Sequence, residues 1–143
     1  MRNKEETFRM PKIVVGFIRS PEGEAALSRA VDEAKLRDAQ LIVVHSMYGG
    51  RREDEAEVLA YRQDLELVDA RLKGEGINHT MHEYVRGLSP SEDLTRVAKE
   101  ENADLIVIGL RRRTATGKFL LGSNAQEILL DADCPVLAVK ADK

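Results

Sequence analysis

The sequence predicts one doubly wound α/β domain, a five-stranded parallel sheet with helices on both faces. Two observations predict it. Short β-branched runs that are apolar on both faces alternate with longer segments that are apolar on one face only, from end to end. The chain also has the size for a single core: 143 residues, 43% hydrophobic and 33% charged, need no metal or disulfide staple.

The elements follow in order. Lys12 to Phe17 (KIVVGF) is the first strand, apolar on both sides. A helix then runs from about Pro21 to Arg37, with Ala26, Leu27, Ala30, Val31 and Ala34 on one face. Ser20 is its expected N-cap and Pro21 its first residue. Leu41 to His45 (LIVVH) is the second strand. The second helix spans about Asp54 to Lys73, where Val58, Tyr61, Leu65, Val68 and Leu72 recur by threes and fours, and Gly74 and Gly76 end it. Asn78 to Val85 is more polar and reads as an edge strand. The third helix opens at Ser89-Pro90, with Glu92 completing a capping box and Leu94, Val97 and Ala98 turned inward. Leu105 to Ile108 (LIVI) is the fourth strand. The last helix opens at Ser123, where Gln126 suggests a second capping box, and carries Ile128 and Leu129. Val136 to Val139 (VLAV) closes the sheet.

Such alternation implies right-handed crossovers between parallel strands. Ligands of these sheets bind beyond the carboxyl ends of the strands, where strand order reverses. Function is therefore expected in the loops after Phe17, His45 and Ile108.

Composition narrows the function classes. A formal net charge of −3 gives no bulk attraction for nucleic acid or a membrane surface. Cys134, the one cysteine, precludes an intramolecular disulfide or a thiolate cluster, and its place before Pro135 suggests an inert thiol. The charged first ten residues do not read as a signal peptide, and no run approaches the roughly 20 apolar residues of a membrane span. A cytoplasmic protein is expected. His45, His79 and His82 lack metal-ligand spacing, and His45 reads as a core residue. Ser20, Ser46 and Ser123 have no evident His-Asp company for nucleophilic catalysis. Arg51 to Glu57 reads as a solvated loop leading into a helix.

The chemistry concentrates in Gly109 to Gln126, GLRRRTATGKFLLGSNAQ. Gly109 permits a tight turn or a close backbone approach. Gly122 precedes Ser123 at a helix start, so backbone N–H groups, a hydroxyl and the positive helix end converge, as phosphate binding requires. Arg111, Arg112, Arg113 and Lys118 add four positive charges. A P-loop ending at Gly117-Lys118 would need glycine and Ser or Thr where Arg112 and Phe119 stand, and no GxGxxG follows the first strand. The chain therefore does not read as a classical ATPase or a dehydrogenase.

These segments resemble the universal stress protein family nearly from end to end. IVVGFIRSPEGEAALSRAVDEA is similar to its first strand and helix, LIVVHS to its second strand. ADLIVIG, the basic loop, GS and CPVLAVK resemble its C-terminal half. The resemblance implies strand order 3-2-1-4-5, with residues 1–10 a tail and 11–143 the domain. It implies a cytoplasmic homodimer joined through Val136 to Val139, with a further protein partner and no catalysis beyond slow ATP hydrolysis. It also implies ATP or a related adenine nucleotide, with or without Mg²⁺. Gly16, Phe17 and Ile18 would line one side of the pocket, while Ser46 and Ile108 would face the base. Gly109, Arg112, Gly122, Ser123, Asn124 and Ala125 would surround ribose and phosphates. ATP-binding members have glycine where Arg112 stands and aspartate where Ile18 stands. Two readings therefore stay open: a nucleotide-responsive stress regulator, or a member that has lost ATP binding and acts as a protein-interaction dimer.

Overall fold

The computed structural model describes residues 9–46, 55–84, 89–110 and 121–141. Nine elements alternate: β1 (Lys12–Gly16), α1 (Pro21–Arg37), β2 (Gln40–Ser46), α2 (Glu55–Gly74), β3 (His79–Tyr84), α3 (Pro90–Glu100), β4 (Leu105–Leu110), α4 (Ser123–Asp131) and β5 (Val136–Lys140). All strand pairings are parallel, in the order β3-β2-β1-β4-β5. Val14 at the centre lies opposite Ile42 on one side and Ile106 on the other.

Alternation along these strands divides the core in two. Ile13, Val15, Leu41, Val43, Leu105 and Val107 point toward α1 and α2, against Leu27, Ala30, Val31, Val68 and Leu72. Val14, Ile42, Val44, Ile106 and Ile108 point the other way, against Leu94 and Val97 of α3 and Ile128 of α4. At about 25 cal/mol per Å² of apolar surface, this two-sided burial is the main stabilising term.

Helix α1 has the expected bounds. Ser20 Oγ accepts the Gly23 N–H at 3.0 Å, and Asp38, left-handed at φ 54°, caps the other end. The five residues expected on its inner face are all buried. At α3 the capping box is complete: Ser89 Oγ accepts the Glu92 N–H, and the Glu92 carboxylate accepts the Ser89 N–H. At α4 the expected capping box is absent. Gly122 is the N-cap, Ser123 is the first helical residue, and Gln126 donates its side-chain amide to the Leu121 carbonyl at 3.0 Å. Ile128 of α4 is buried, but Leu129 is exposed. Gly74 is the last residue of α2 rather than its terminator; Gly76, at φ 72°, makes the turn.

The sequence missed a hydrogen bond at His79. Its Nε2 lies 2.6 Å from Asp69 Oδ1, tying β3 to α2, and this contact with Lys73 holds the Asp69 carboxyl below its usual range. His45 is 2% exposed, as its strand position predicts; its Nδ1 lies 2.9 Å from the Phe17 carbonyl and its ring packs on Tyr61.

Two glycines with opposite surroundings yield a stability test. A Cβ on Gly23 would fall 1.8 Å from the Ile18 carbonyl oxygen, whereas one on Gly74 would meet no atom within 4 Å. Gly23→Ala should lose about 1–3 kcal/mol. Gly74→Ala should gain about 0.5 kcal/mol through its helix propensity. Urea denaturation of both variants checks the pair.

Candidate functional site

Strand order reverses at β1, which has β2 on one side and β4 on the other. The chain leaves these strands toward opposite faces, so a crevice opens at their carboxyl ends. A cavity of about 150 Å³ lies there. Its lining is mostly apolar, with Val44, Leu94, Ile108 and Ile128 among the residues that form it.

Seven of the eleven residues expected at the site line this cavity: Gly16, Phe17, Ile18, Ser46, Ile108, Gly109 and Asn124. Ser123 and Ala125 flank Asn124 in the first turn of α4, Ser123 exposed and Ala125 packed against the core, and Gly122 is the N-cap of that helix. Arg112 lies outside the described residues, as do Arg111, Arg113 and Lys118.

The glycines at the strand ends differ in purpose. At Gly109 a Cβ would fall 2.0 Å from the Glu22 carbonyl oxygen, so the close approach there is made by the first turn of α1. At Gly16 the nearest atom would be a Leu94 methyl at 3.4 Å, an ordinary contact. Ile18 is 43% exposed at the cavity edge and offers no hydrogen-bonding group from its side chain.

Several site residues come from helix starts and were not read from the sequence. Glu22, Gly23, Pro90, Ser91 and Leu94 all line the cavity. Ser46 has an acidic partner that its sequence context did not reveal, donating its hydroxyl to Oδ2 of the wholly buried Asp93. Arg96 Nη2 donates to the other Asp93 oxygen at 3.0 Å. Ser91, 2% exposed, donates to Glu127 Oε2 at 3.2 Å and so links α3 to α4. The signal for Asp93 was its place beside Leu94 in the first turn of an amphipathic helix.

A second, more polar cleft of about 300 Å³ lies at the other end of the strands, among Arg9, Asn102, Asp104, Asp133 and Cys134. Arg9 fills part of it, donating to Asp104 at 2.7 Å and to the Asn102 carbonyl at 3.3 Å. Burial, then the charges of Asp104 and Asp133, raise the Cys134 thiol above its usual range, which disfavours the reactive thiolate. The described residues hold no cluster of three or more His, Cys, Asp or Glu side chains able to bind a metal. None of their helices is long and apolar enough to cross a membrane.

An apolar slot at the reversal point of the sheet, bordered by a helix N-terminus, lies where doubly wound α/β domains hold their small ligands. The profile of the universal stress protein family matches residues 10–140, and the chain belongs to that family. A universal stress protein of Mycolicibacterium smegmatis is 38% identical over 128 residues, 90% of this chain and 96% of that one. The solved universal stress protein of Archaeoglobus fulgidus superposes with a TM-score of 0.77 at 35% identity, covering 93% of this chain and all of its own. A structure of the universal stress protein of A. fulgidus in complex with dAMP gives 0.71 at 32% identity, over 92% and 98% of the two chains.

The Ser91–Glu127 link predicts a cost for losing one hydroxyl. Ser91→Ala should destabilise the fold by about 1 kcal/mol, the net worth of a typical hydrogen bond. An unchanged urea midpoint would mean that the link contributes nothing to holding α3 on α4.

Proposed function

We propose that this protein is an adenine-nucleotide-binding stress regulator that works as a homodimer in the cytoplasm. The observation that carries the reading is the apolar cavity beside the first turn of α4. A planar base fits the slot among Val44, Leu94, Ile108 and Ile128, and Gly16, Ile18 and Gly109 flank the sugar. The N–H groups of Ser123, Asn124 and Ala125 receive the phosphate at the positive end of the helix. Gly122 supports this arrangement. Its φ of −71° and ψ of 168° are open to any residue, so its backbone does not require glycine, and a missing side chain instead leaves room for a ligand. The dAMP bound by a relative at 32% identity points to the same ligand class. Arg112, and Lys118 with it, neutralise the phosphate charge, with or without Mg²⁺. The protein is a binding module, with ATP hydrolysis slow at most.

Ile18 favours a second reading, in which ATP binding has been lost and the dimer recognises a protein partner. Its apolar side chain faces the place where a ribose hydroxyl would want an acceptor. Calorimetric titration with ATP, ADP, AMP and cyclic AMP separates the two. Saturable micromolar binding is expected, weakened at least about ten-fold in Arg112→Gly and abolished in Gly122→Val. Binding by Arg112→Gly but not by the unaltered protein would instead make Arg112 a plug and favour the protein-interaction reading.

The homodimer reading rests on β5, a sheet edge carrying Val136, Leu137 and Val139, beside the exposed Leu129 and Leu130 of α4. Ala138 is exposed on that strand, so Ala138→Glu should leave the fold intact while converting the dimer to monomer in light-scattering mass measurements.

A further inference from the structure

Both serine hydroxyls that line the cavity already donate their protons to carboxylates. Ser46 follows Val44 by two along β2, so both face the same side of the sheet and both border the cavity. Its hydroxyl donates to Asp93 Oδ2, while Arg96 occupies Asp93 Oδ1 at 3.0 Å. Ser91 donates to Glu127 Oε2 at 3.2 Å. A hydroxyl has one proton and two lone pairs. With the proton turned away, each serine offers the cavity only an acceptor.

We propose that Asp93, oriented by Arg96, fixes the Ser46 hydroxyl as an acceptor and so makes the site select bases bearing an exocyclic amino group over their oxo counterparts. The inference rests on the cavity being a nucleotide site. An amino group brings an N–H to the lone pairs of Ser46. An oxo group at the same position sets two acceptors face to face in a mostly apolar slot, and leaves both unsatisfied. Asp93 acts through Ser46 and is a positioning residue.

The geometry supplies its own reversal. In Asp93→Asn, Arg96 retains the side-chain oxygen, so the new amide N–H₂ faces Ser46. The serine must then accept from it, and its own proton swings toward the cavity. AMP and IMP report the change, because the donor and acceptor on the six-membered-ring edge exchange places between them.

The test is calorimetric titration of the unaltered protein, Asp93→Asn and Ser46→Ala with AMP and with IMP. The proposal expects the unaltered protein to favour AMP by about ten-fold, the cost of one unsatisfied acceptor at a partly buried position. Asp93→Asn should abolish or invert that ratio. Ser46→Ala should bring it toward one, and it decides the matter if Asp93→Asn does not fold. A ratio near one in the unaltered protein, or a preference for AMP surviving in the folded variants, overturns the proposal and leaves the nucleotide reading standing. Failure of the unaltered protein to bind either nucleotide overturns both.

Discussion

The first turn of α1 is pressed backbone to backbone against its neighbours, and the geometry of the site depends on that contact. The Ile18 carbonyl occupies the volume a Cβ on Gly23 would need, and the Glu22 carbonyl does the same at Gly109. With no side chain at either position, α1 closes onto the ends of β1 and β4. Ile18, Glu22, Gly23 and Gly109 thereby become one wall of the cavity. Any Cβ at these two glycines would push α1 outward and separate Gly16 to Ile18 from Ile108 and Gly109. Gly109 is therefore required by the protein's own backbone before any ligand arrives.

Most of the fold was legible because local and global signals agree. The central strands are apolar on both faces, and only a sheet covered twice can bury such segments. The bounds of α1 were readable because Ser20 and Pro21 fix its start by local chemistry. The start of α4 was misread for a physical reason. Ser-x-x-Gln describes a capping box only when the serine is the N-cap, and here Gly122 takes that position. Gln126 then reaches back to the Leu121 carbonyl instead. At the site, the strand-end residues were legible from alternation and the reversal rule. Ser91 and Asp93 were not, because the apolar pattern of α3 marks its inward face through Leu94, Val97 and Ala98 but does not say which polar neighbours in its first turn meet the strand ends.

The two faces of the sheet treat their polar groups differently. On the α3 side Asp93 is buried completely, yet each of its oxygens is bonded, to Ser46 and to Arg96. On the α2 side His45 Nε2, Asp64 Oδ2 and Glu83 Oε2 are buried without hydrogen-bond partners among the described residues, and the two carboxylates have only the longer ion pairs to Arg19 at 3.7 Å and Arg62 at 3.6 Å. Buried polar groups in that condition cost stability. Leu59 and Leu67 on α2 are also exposed, so this helix gains less from apolar burial than its length allows.

The two margins of the sheet are unlike. Along β3 the margin carries His79, Thr80, His82 and Glu83, with His79 paired to Asp69 and Glu83 to Arg62. Charge of this kind discourages a foreign strand from adding there. The margin at β5 reads VLAVK and has no such protection in its first four residues. A sheet receptive along one margin has a valence of one. In the homodimer we propose, two copies meeting there would exhaust it and form a closed pair, whereas a sheet receptive along both would propagate without limit into fibres.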